Sequence, residues 1–273
     1  MCNVWCKLDV VKRSLPPLHL RQSPLIAVLT QVRFSAVMAL EKFVPDIQEQ
    51  LRHKGFPRYV RGQMQELLVQ PDTPPKFNVT DRFEFQDKDE SIGIVLTPTS
   101  FAVQTNRYSR FEDFQEVTAT ALIVVNRVLN LTLVDRVGLR YVDLVRPGES
   151  ETLADYLRPG LLGIDPKGVG VTAWRSRYEA LGQTVLGNLA VRCSQSEQIL
   201  PPDLFPTTLK YSTALRPGEV ATLLDLDHFF EGSSDFDTRR VVDLIGELHD
   251  AVDLAFRESV TPGALTRWGH GEK

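Results

Sequence analysis

The sequence predicts an α+β protein in which long helices pack on one face of antiparallel sheet. Short apolar runs separated by proline, glycine and polar residues recur along the chain, and they are typical of antiparallel strands with short connections. Two longer stretches instead repeat apolar residues at every third or fourth position, which is the period of an amphipathic helix. The chain has 273 residues, which is enough for one large domain or two small ones.

The first part of the chain predicts one helix among a series of strands. A strand over Leu25–Phe34 follows Pro24 and is rich in Val, Ile and Leu. A helix is expected over residues 44–54, because Pro45 is tolerated in a first helical turn and Gly55 is a common stop. The four strands that follow are expected to form a meander of antiparallel neighbours over residues 59–69, 82–86, 92–96 and 101–105.

The next part of the chain begins with a clear change of period. Apolar residues three and four apart predict a helix over Phe111–Leu129, and a strand follows over residues 134–145. Residues 160–170 are dense in glycine and proline, so we expect a boundary or a mobile loop there. Two segments that pair as a hairpin and two further strands come next, over residues 175–194, 208–213 and 221–230.

The last long helix is predicted to begin after Asp237, a good N-cap, and to run to about Phe256. Its apolar residues form a single stripe, which predicts that they are buried: Val241, Ile245, Leu248, Val252 and Phe256. Because each half of the chain is a series of strands closed by one long helix, we expect two α+β halves over residues 24–150 and 151–273, after a flexible tail over residues 1–23. The halves either repeat one another or form one continuous domain.

Composition and the N-terminal residues exclude several classes of protein. No stretch reaches the roughly 18 consecutive apolar residues that a membrane span needs, so we expect no membrane association. The first residues lack the basic and then apolar order of a secretory signal, and three cysteines are too few for a disulfide framework. These observations predict a cytoplasmic protein. Cys2 and Cys6 would supply only two corners of a zinc site, so neither a metal nor a cofactor is expected.

The most suggestive local motif is Arg136-x-Gly138-x-Arg140, on the strand predicted over residues 134–145. Alternate residues of a strand share one face, so Arg136, Gly138 and Arg140 lie side by side. Glycine between two arginines leaves room for a phosphate or a carboxylate between two forked donors. These three residues are therefore a candidate anion site. The alternative is that both arginines lie on a solvated strand face, where they pair with acids of neighbouring strands.

Charge is distributed unevenly along the chain. Residues 1–70 carry ten Lys or Arg against five Asp or Glu, whereas residues 219–258 carry three arginines against eleven acids. An acidic surface of this kind steers a basic partner or orients the subunits of an oligomer. Asp243, Glu247 and Asp250, three and four positions apart on the last helix, are therefore the candidate partner-binding residues. The alternative is a solvated helix face without a partner.

Common catalytic fingerprints are absent from the sequence. It contains no nucleophile elbow, phosphate-binding glycine loop, dinucleotide fingerprint or histidine–glutamate zinc helix, and its five histidines share no ligand spacing. His249 lies near the edge of the apolar stripe of the last helix, where a packed histidine is more common than a general base. The sequence therefore favours a protein that is not an enzyme.

At Arg136-x-Gly-Leu-Arg-Tyr-x-Asp143, and again in the C-terminal helix, the chain resembles a sporadically distributed, uncharacterised bacterial family of about this length. The resemblance extends from about Pro24 to Trp268, and it implies one intact structural unit rather than any mechanism. The family often carries asparagine where Asp143 stands here. Its patchy distribution is typical of defence or toxin–antitoxin genes.

Three functions are open at this point. The leading hypothesis is a non-enzymatic cytoplasmic protein that recognises a protein partner in a defence or toxin–antitoxin system, because sheet edges accept extended segments. One alternative is an RNA-binding or RNA-processing protein that uses Arg136, Arg140 and the basic first quarter: Arg52, Lys54, Arg58 and Arg61. The net charge of −4 does not favour nucleic acid. The other alternative is a small-molecule pocket between sheet and helix, and a homo-oligomer is compatible with each.

Overall fold

The computed structural model describes residues 18–68, 76–164, 166–171, 174–204, 208–211, 214–216 and 219–270. These residues form one nine-stranded antiparallel sheet and four α-helices, which confirms the predicted α+β class. None of the described helices has both the length and the apolar composition needed to cross a lipid bilayer. Most of the predicted tail, up to residue 17, lies outside the described residues.

The secondary structure alternates groups of strands with helices and ends in two consecutive helices. The strands are β1 (Leu25–Phe34), β2 (Arg58–Leu68), β3 (Lys76–Gln86), β4 (Ile92–Thr97), β5 (Ser100–Thr105), β6 (Leu133–Val145), β7 (Arg177–Gln183), β8 (Asn188–Ser196) and β9 (Ala221–Asp235). The helices are α1 (Leu40–His53), α2 (Phe111–Leu129), α3 (Thr238–Ser259) and α4 (Pro262–Arg267). Across the sheet the order is β2-β3-β4-β5-β1-β6-β9-β8-β7.

The sheet is continuous across the two predicted halves of the chain. β6 of the first half pairs with β9 of the second along nearly its whole length, from Leu133 opposite Asp235 to Val145 opposite Thr222. β1 pairs with β6 on the other side. Strands from both halves therefore belong to one sheet, while the repeat of the two halves stays a prediction.

The helices α1, α2 and α3 form a layer on one face of the sheet, with α2 between the other two. The main core lies between this layer and the sheet, and its largest side chains are fully buried: Ile47, Phe83, Phe85, Phe101, Leu122, Leu139 and Leu248. Val241, Ile245 and Leu248 are at most 3% exposed, which confirms the predicted buried stripe of α3. The carboxylate of Asp237 accepts a hydrogen bond from the backbone nitrogen of Arg240 at 2.7 Å, as predicted for an N-cap.

The predicted ends of helices and strands agree best with the structure where apolar residues recur at regular intervals. β1 and α2 have the predicted bounds, and α2 and α3 are the longest of the described helices. α1 begins at Leu40, four residues before the predicted start, so Pro45 lies inside the helix. Leu40 is buried and extends the stripe that includes Val44. The burial of one more leucine outweighs the single backbone hydrogen bond that a proline cannot donate.

The predicted strand over residues 208–213 is wrong in its described part, since residues 208–211 form no strand. They belong to a longer connection between β8 and β9, residues 197–220, which we call the cover segment. Its described parts lie over the helix-free face of the sheet, where Thr208 hydrogen-bonds to Glu84 and Gln86 on β3. Leu200 is completely buried there in a second, smaller core with Val142 and Leu223. The segment thus crosses the sheet and does not extend it.

The two ends of the sheet extend past the helical layer. Nine strands about 4.8 Å apart span about 38 Å, whereas three helices about 10 Å apart cover only about 30 Å. Six of the seven residues of β7 are exposed, and so are most described side chains of β2. Within the described residues, the outer edges of β2 and β7 have no neighbouring strand.

Candidate functional site

The predicted anion motif lies near the centre of the helix-free face. Arg136, Gly138 and Arg140 alternate along β6 with Val137 and Leu139, which are buried in the main core. The motif therefore points away from the helices, as the alternation of a strand requires. Its two arginines nevertheless have different surroundings.

Arg140 is held by carboxylates. Its Nε and Nη2 donate to the two oxygens of Asp225 at 2.7 and 2.8 Å, and it also donates from both terminal nitrogens to Asp203 in the cover segment. Burial alone would lower the pKa of Arg140, but the hydrogen bonds to Asp225 and Asp203 outweigh burial and raise it. Because four of its five N–H groups are used inside the chain, Arg140 has little capacity left for an external anion.

The side chain of Arg136 itself occupies the space beside Gly138 that the sequence motif suggested for an anion. Its guanidinium lies against Gly138, where an added Cβ would be only 2.7 Å from Nη1, and it lies 4.5 Å from the ring centre of Phe229. Nη1 donates to Gln31 at 3.2 Å, and Asp227 lies 3.5 Å from Nη2. Burial lowers the pKa of Arg136 and raises that of Asp227. Glycine at position 138 is thus explained by the packing of Arg136.

The neighbouring strands complete a compact charged cluster, which we define as Arg136, Arg140, Arg192, Asp203, Asp225 and Asp227. Arg192 on β8 donates from Nε to Glu179 on β7 at 2.9 Å, and its Nη1 lies 3.5 Å from Asp225. The cluster contains three arginines and three aspartates, so it has no formal excess of positive charge. A phosphate or carboxylate placed there would also approach the aspartates, and anion binding at this motif stays a prediction.

The basic first quarter shows the same internal pairing of charges. Arg52 pairs with Glu49 at 2.6 Å, Arg58 with Glu90 at 2.8 Å, and Arg61 with Glu41 at 2.7 Å. Each arginine thus carries an acidic partner, and these three oppositely charged neighbours reduce the positive field available to RNA. The nucleic-acid alternative gains no support from this arrangement.

The predicted acidic surface of α3 is partly neutralised. Asp243 and Asp250 are exposed and have no ion pair in the described residues, whereas Glu247 accepts a hydrogen bond from Arg240 at 2.8 Å. Most acids of the block 219–258 also hold partners, namely Glu219, Asp225, Asp227, Glu231, Asp237, Glu247 and Asp253. Two of them, Asp225 and Asp227, lie on the opposite face of the sheet. The surface charge is therefore smaller than the sequence suggests.

A buried polar chain links the sheet to α3. The hydroxyl of Tyr141 lies 3.0 Å from Nδ1 of His249 and 3.3 Å from the hydroxyl of Tyr108. The ring of Phe111 stacks on His249 with 4.0 Å between ring centres. Burial lowers the pKa of His249 and raises that of Tyr108 to about 12, so both groups are neutral near pH 7. The histidine is packed, as expected from its place on the apolar stripe.

Asp143 is a buried acid whose buried position was not predicted from the sequence. It is 3% exposed, and its Oδ2 has no hydrogen-bond partner. Burial, with a smaller effect of the nearby Asp225, raises the pKa of its carboxyl group to about 8. Asp143 is therefore mostly protonated at neutral pH. A protonated carboxyl has nearly the shape of an asparagine amide.

Two cavities in the described residues are small or shallow. One of about 10 Å³ lies between β6, β9 and the start of α3, and it has room for about one water molecule. An open groove of about 470 Å³ runs between α1 and α2 and includes Phe43 and Val128. An enclosed ligand pocket has a volume of about 300–1,000 Å³. Neither of these two cavities provides a pocket of that kind between sheet and helix.

Metal binding finds no support among the residues that the structure describes. They contain no group of three or more His, Cys, Asp or Glu side chains that could hold a metal ion. Cys193 is buried, and burial raises the pKa of its thiol to about 11, which makes it unreactive near neutral pH. Cys2 and Cys6 lie outside the described residues.

Exposed apolar side chains concentrate in two stretches of the chain, the β2–β3 ribbon and the residues in and around β7. Among the described residues, fifteen large apolar side chains are exposed, and eleven of them lie in two stretches. Four are on the β2–β3 ribbon: Tyr59, Val60, Met64 and Val79. Seven lie in β7 or near it in sequence: Ile164, Val169, Val171, Trp174, Tyr178, Leu181 and Val185. Sequence patterns did not reveal these surfaces, because exposure depends on where the helical layer ends.

No protein-family model matches this chain, and no curated protein matches it significantly. The resemblance noted in the sequence therefore stays a prediction, and function must follow from the surfaces described above.

Proposed function

We propose that the protein is a non-enzymatic binding protein that recognises another protein by adding an extended segment of that partner to the edge of β7. The observation that carries this proposal is the exposed outer edge of β7, a strand whose own side chains Tyr178 and Leu181 are exposed apolar groups. Unpaired backbone groups at a sheet edge bind an added strand through main-chain hydrogen bonds.

The shape of β7 suits this mode of binding. The strand is exposed on both faces because the helical layer ends before it, and Leu181 is 67% exposed. An added strand would lie about 4.8 Å away, where its alternate side chains reach those of β7. The backbone would supply affinity, and the side chains of β7 would select the sequence of the partner.

The side chains of β7 define the chemistry of the partner segment. On one face Leu181 favours an apolar neighbour, and the exposed Arg177, which also pairs with Glu179 at 3.2 Å, favours an acidic one. Glu179 already accepts hydrogen bonds from Arg177 and Arg192, so it contributes less to selection. We expect an extended partner segment that carries an apolar residue near Leu181 and an acidic residue near Arg177.

β7 is poorly suited to pairing with itself. In the antiparallel register that overlaps the whole strand, Ala180 lies on the two-fold axis and Glu179 faces Leu181 of the other copy. A charged residue opposite an exposed leucine is an unfavourable cross-strand pair. Over its whole length, β7 is therefore better suited to a segment of a different protein. Asp243 and Asp250 on α3 provide negative charge that would steer a partner with basic residues elsewhere on its surface.

The setting of this proposal is the cytoplasm of a bacterium, in a defence or toxin–antitoxin system, in line with the family that the chain resembles. Anion binding at Arg136, Gly138 and Arg140 is not needed for it, because the arginines there are paired with aspartates of this chain.

The proposal is tested by selecting peptides from a displayed random library against the wild-type protein. The informative variant is Leu181→Asp, and the matched control is Ile123→Asp, since Ile123 is an exposed apolar residue on α2. Selected peptides should bind the wild type and the control with equal affinity. They should bind Leu181→Asp about tenfold more weakly, because burial of a leucine side chain contributes about 1.5–3 kcal/mol. Peptides that bind all three proteins equally, or a failure to select any, would contradict the proposal.

A further inference from the structure

The outer edge of β2, at the other end of the sheet, is longer than that of β7. All eleven residues of β2 pair with β3 on one side, and no described residue pairs with β2 on the other. β4 pairs only with residues 83–86 of β3. The part of β2 after Arg61 therefore belongs to a two-stranded ribbon that projects past β4. Two-stranded ribbons are marginally stable in water, so a further strand would stabilise this one.

The sequence of β2 is self-complementary about Gly62. If two copies pair antiparallel with Gly62 on the two-fold axis, Val60 of each copy lies opposite Met64 of the other. Val60 and Met64 are 38% and 40% exposed, and they share one face of the strand with Gly62 between them. No atom lies within 4 Å of the position of a Cβ on Gly62, so this face is open to a second copy. The pairing would join four exposed apolar side chains into one patch.

The polar residues of β2 fit the same register. Arg61 of each copy lies opposite Gln63 of the other. Neighbouring registers are worse. A two-fold axis at Arg61 places two arginines opposite each other, and an axis at Gln63 places Val60 opposite a glutamate. Of these three registers, the one centred on Gly62 is thus the one that places neither two arginines nor an apolar residue and a glutamate opposite each other.

We propose that the chain forms a two-fold dimer in which β2 pairs with β2 of a second copy about Gly62, so that two nine-stranded sheets become one. The overlap covers residues 58–66, about 31 Å of strand. A single pair of strands is at the low end of the area that stable interfaces bury, so the dimer dissociates on dilution. This inference does not depend on partner binding, because β7 lies at the opposite end of the sheet.

The dimer is tested by sedimentation equilibrium over a range of concentrations with two charge variants. Val60→Lys places a lysine opposite Met64, and Met64→Glu places a glutamate opposite Val60. Each change occurs twice in the two-fold dimer and should weaken it by about tenfold or more. An equal mixture of the two variants should dimerise again, because one lysine then faces one glutamate and the other pair remains Val60 and Met64.

The control for this experiment is Leu181→Lys, a charge placed on the other edge strand, and thermal melts check that each variant is folded. Recovery of the dimer in the mixture is specific for the register centred on Gly62. A wild type that stays monomeric at every concentration would overturn the proposal. So would a wild-type dimer that neither single variant weakens, or self-association that is lost in Leu181→Lys, since that result would place the contact between copies on β7.

Discussion

Asp143 shows how one buried residue couples the fold to pH. In the unfolded chain an aspartate titrates near pH 3.9, whereas burial raises the pKa of this carboxyl group in the folded protein to about 8. Between these values the folded state binds a proton that the unfolded state does not hold. The contribution of Asp143 to stability is therefore lost progressively as pH rises from about 4 to about 8.

We predict that the stability of the Asp143→Asn variant increases relative to that of the wild type as pH rises. The difference in the free energy of unfolding should grow by up to about 1.4 kcal/mol per pH unit between pH 4 and pH 8, then level off. Urea denaturation of both proteins at a series of pH values measures it. A difference that stays constant over this range would show that Asp143 titrates normally in the folded state.

The arginine motif shows what local sequence can and cannot predict about a site. Strand alternation correctly indicates that Arg136, Gly138 and Arg140 share a face. It does not indicate their partners, because Asp203 and Asp225 are more than sixty residues away in sequence and reach Arg140 only through the fold. Gly138 accommodates the neighbouring arginine, which local spacing alone cannot distinguish from room for an anion.

At the scale of single elements, α3 is the helix whose packing the sequence describes most completely. Its apolar stripe and its N-cap are both found in the structure, because they depend on residues within one or two turns of each other. The start of α1 and the path of residues 208–211 depend instead on distant contacts, and the sequence predicted both incorrectly. Lys210, for example, donates its backbone N–H to the backbone carbonyl of Glu90, which lies in the turn between β3 and β4.

We predict that Leu248→Ala destabilises the protein by about 2–5 kcal/mol, because Leu248 is completely buried between α3 and the sheet. Ile123→Ala on α2 is the matched control. Ile123 is about half exposed, so its truncation should lower the free energy of unfolding much less. Chemical denaturation of the three proteins compares their free energies of unfolding. Equal losses for both variants would contradict the placement of α3.

At the scale of the whole molecule, the width of the sheet relative to the helical layer creates the surfaces that matter. The sequence predicts the strands and helices, but it does not predict that β1 lies between β5 and β6 or that β7 and β2 become the two edges. Strand order depends on pairings between distant segments, which periodicity does not encode. One layer of three helices leaves both ends of the sheet uncovered. The two end strands differ, because the sequence of β2 suits pairing with a second copy about Gly62, whereas that of β7 does not suit such pairing over its whole length.

The central claim is that the edge of β7 receives an extended segment of another protein. Hydrogen–deuterium exchange of the wild type, with and without a peptide selected from the library, tests it most directly. We predict that backbone amides of β7 that are not bonded to β8 exchange quickly in the free protein and slowly in the complex. Protection confined to the acidic face of α3 or to Arg136, Gly138 and Arg140, with β7 unchanged, would contradict the claim.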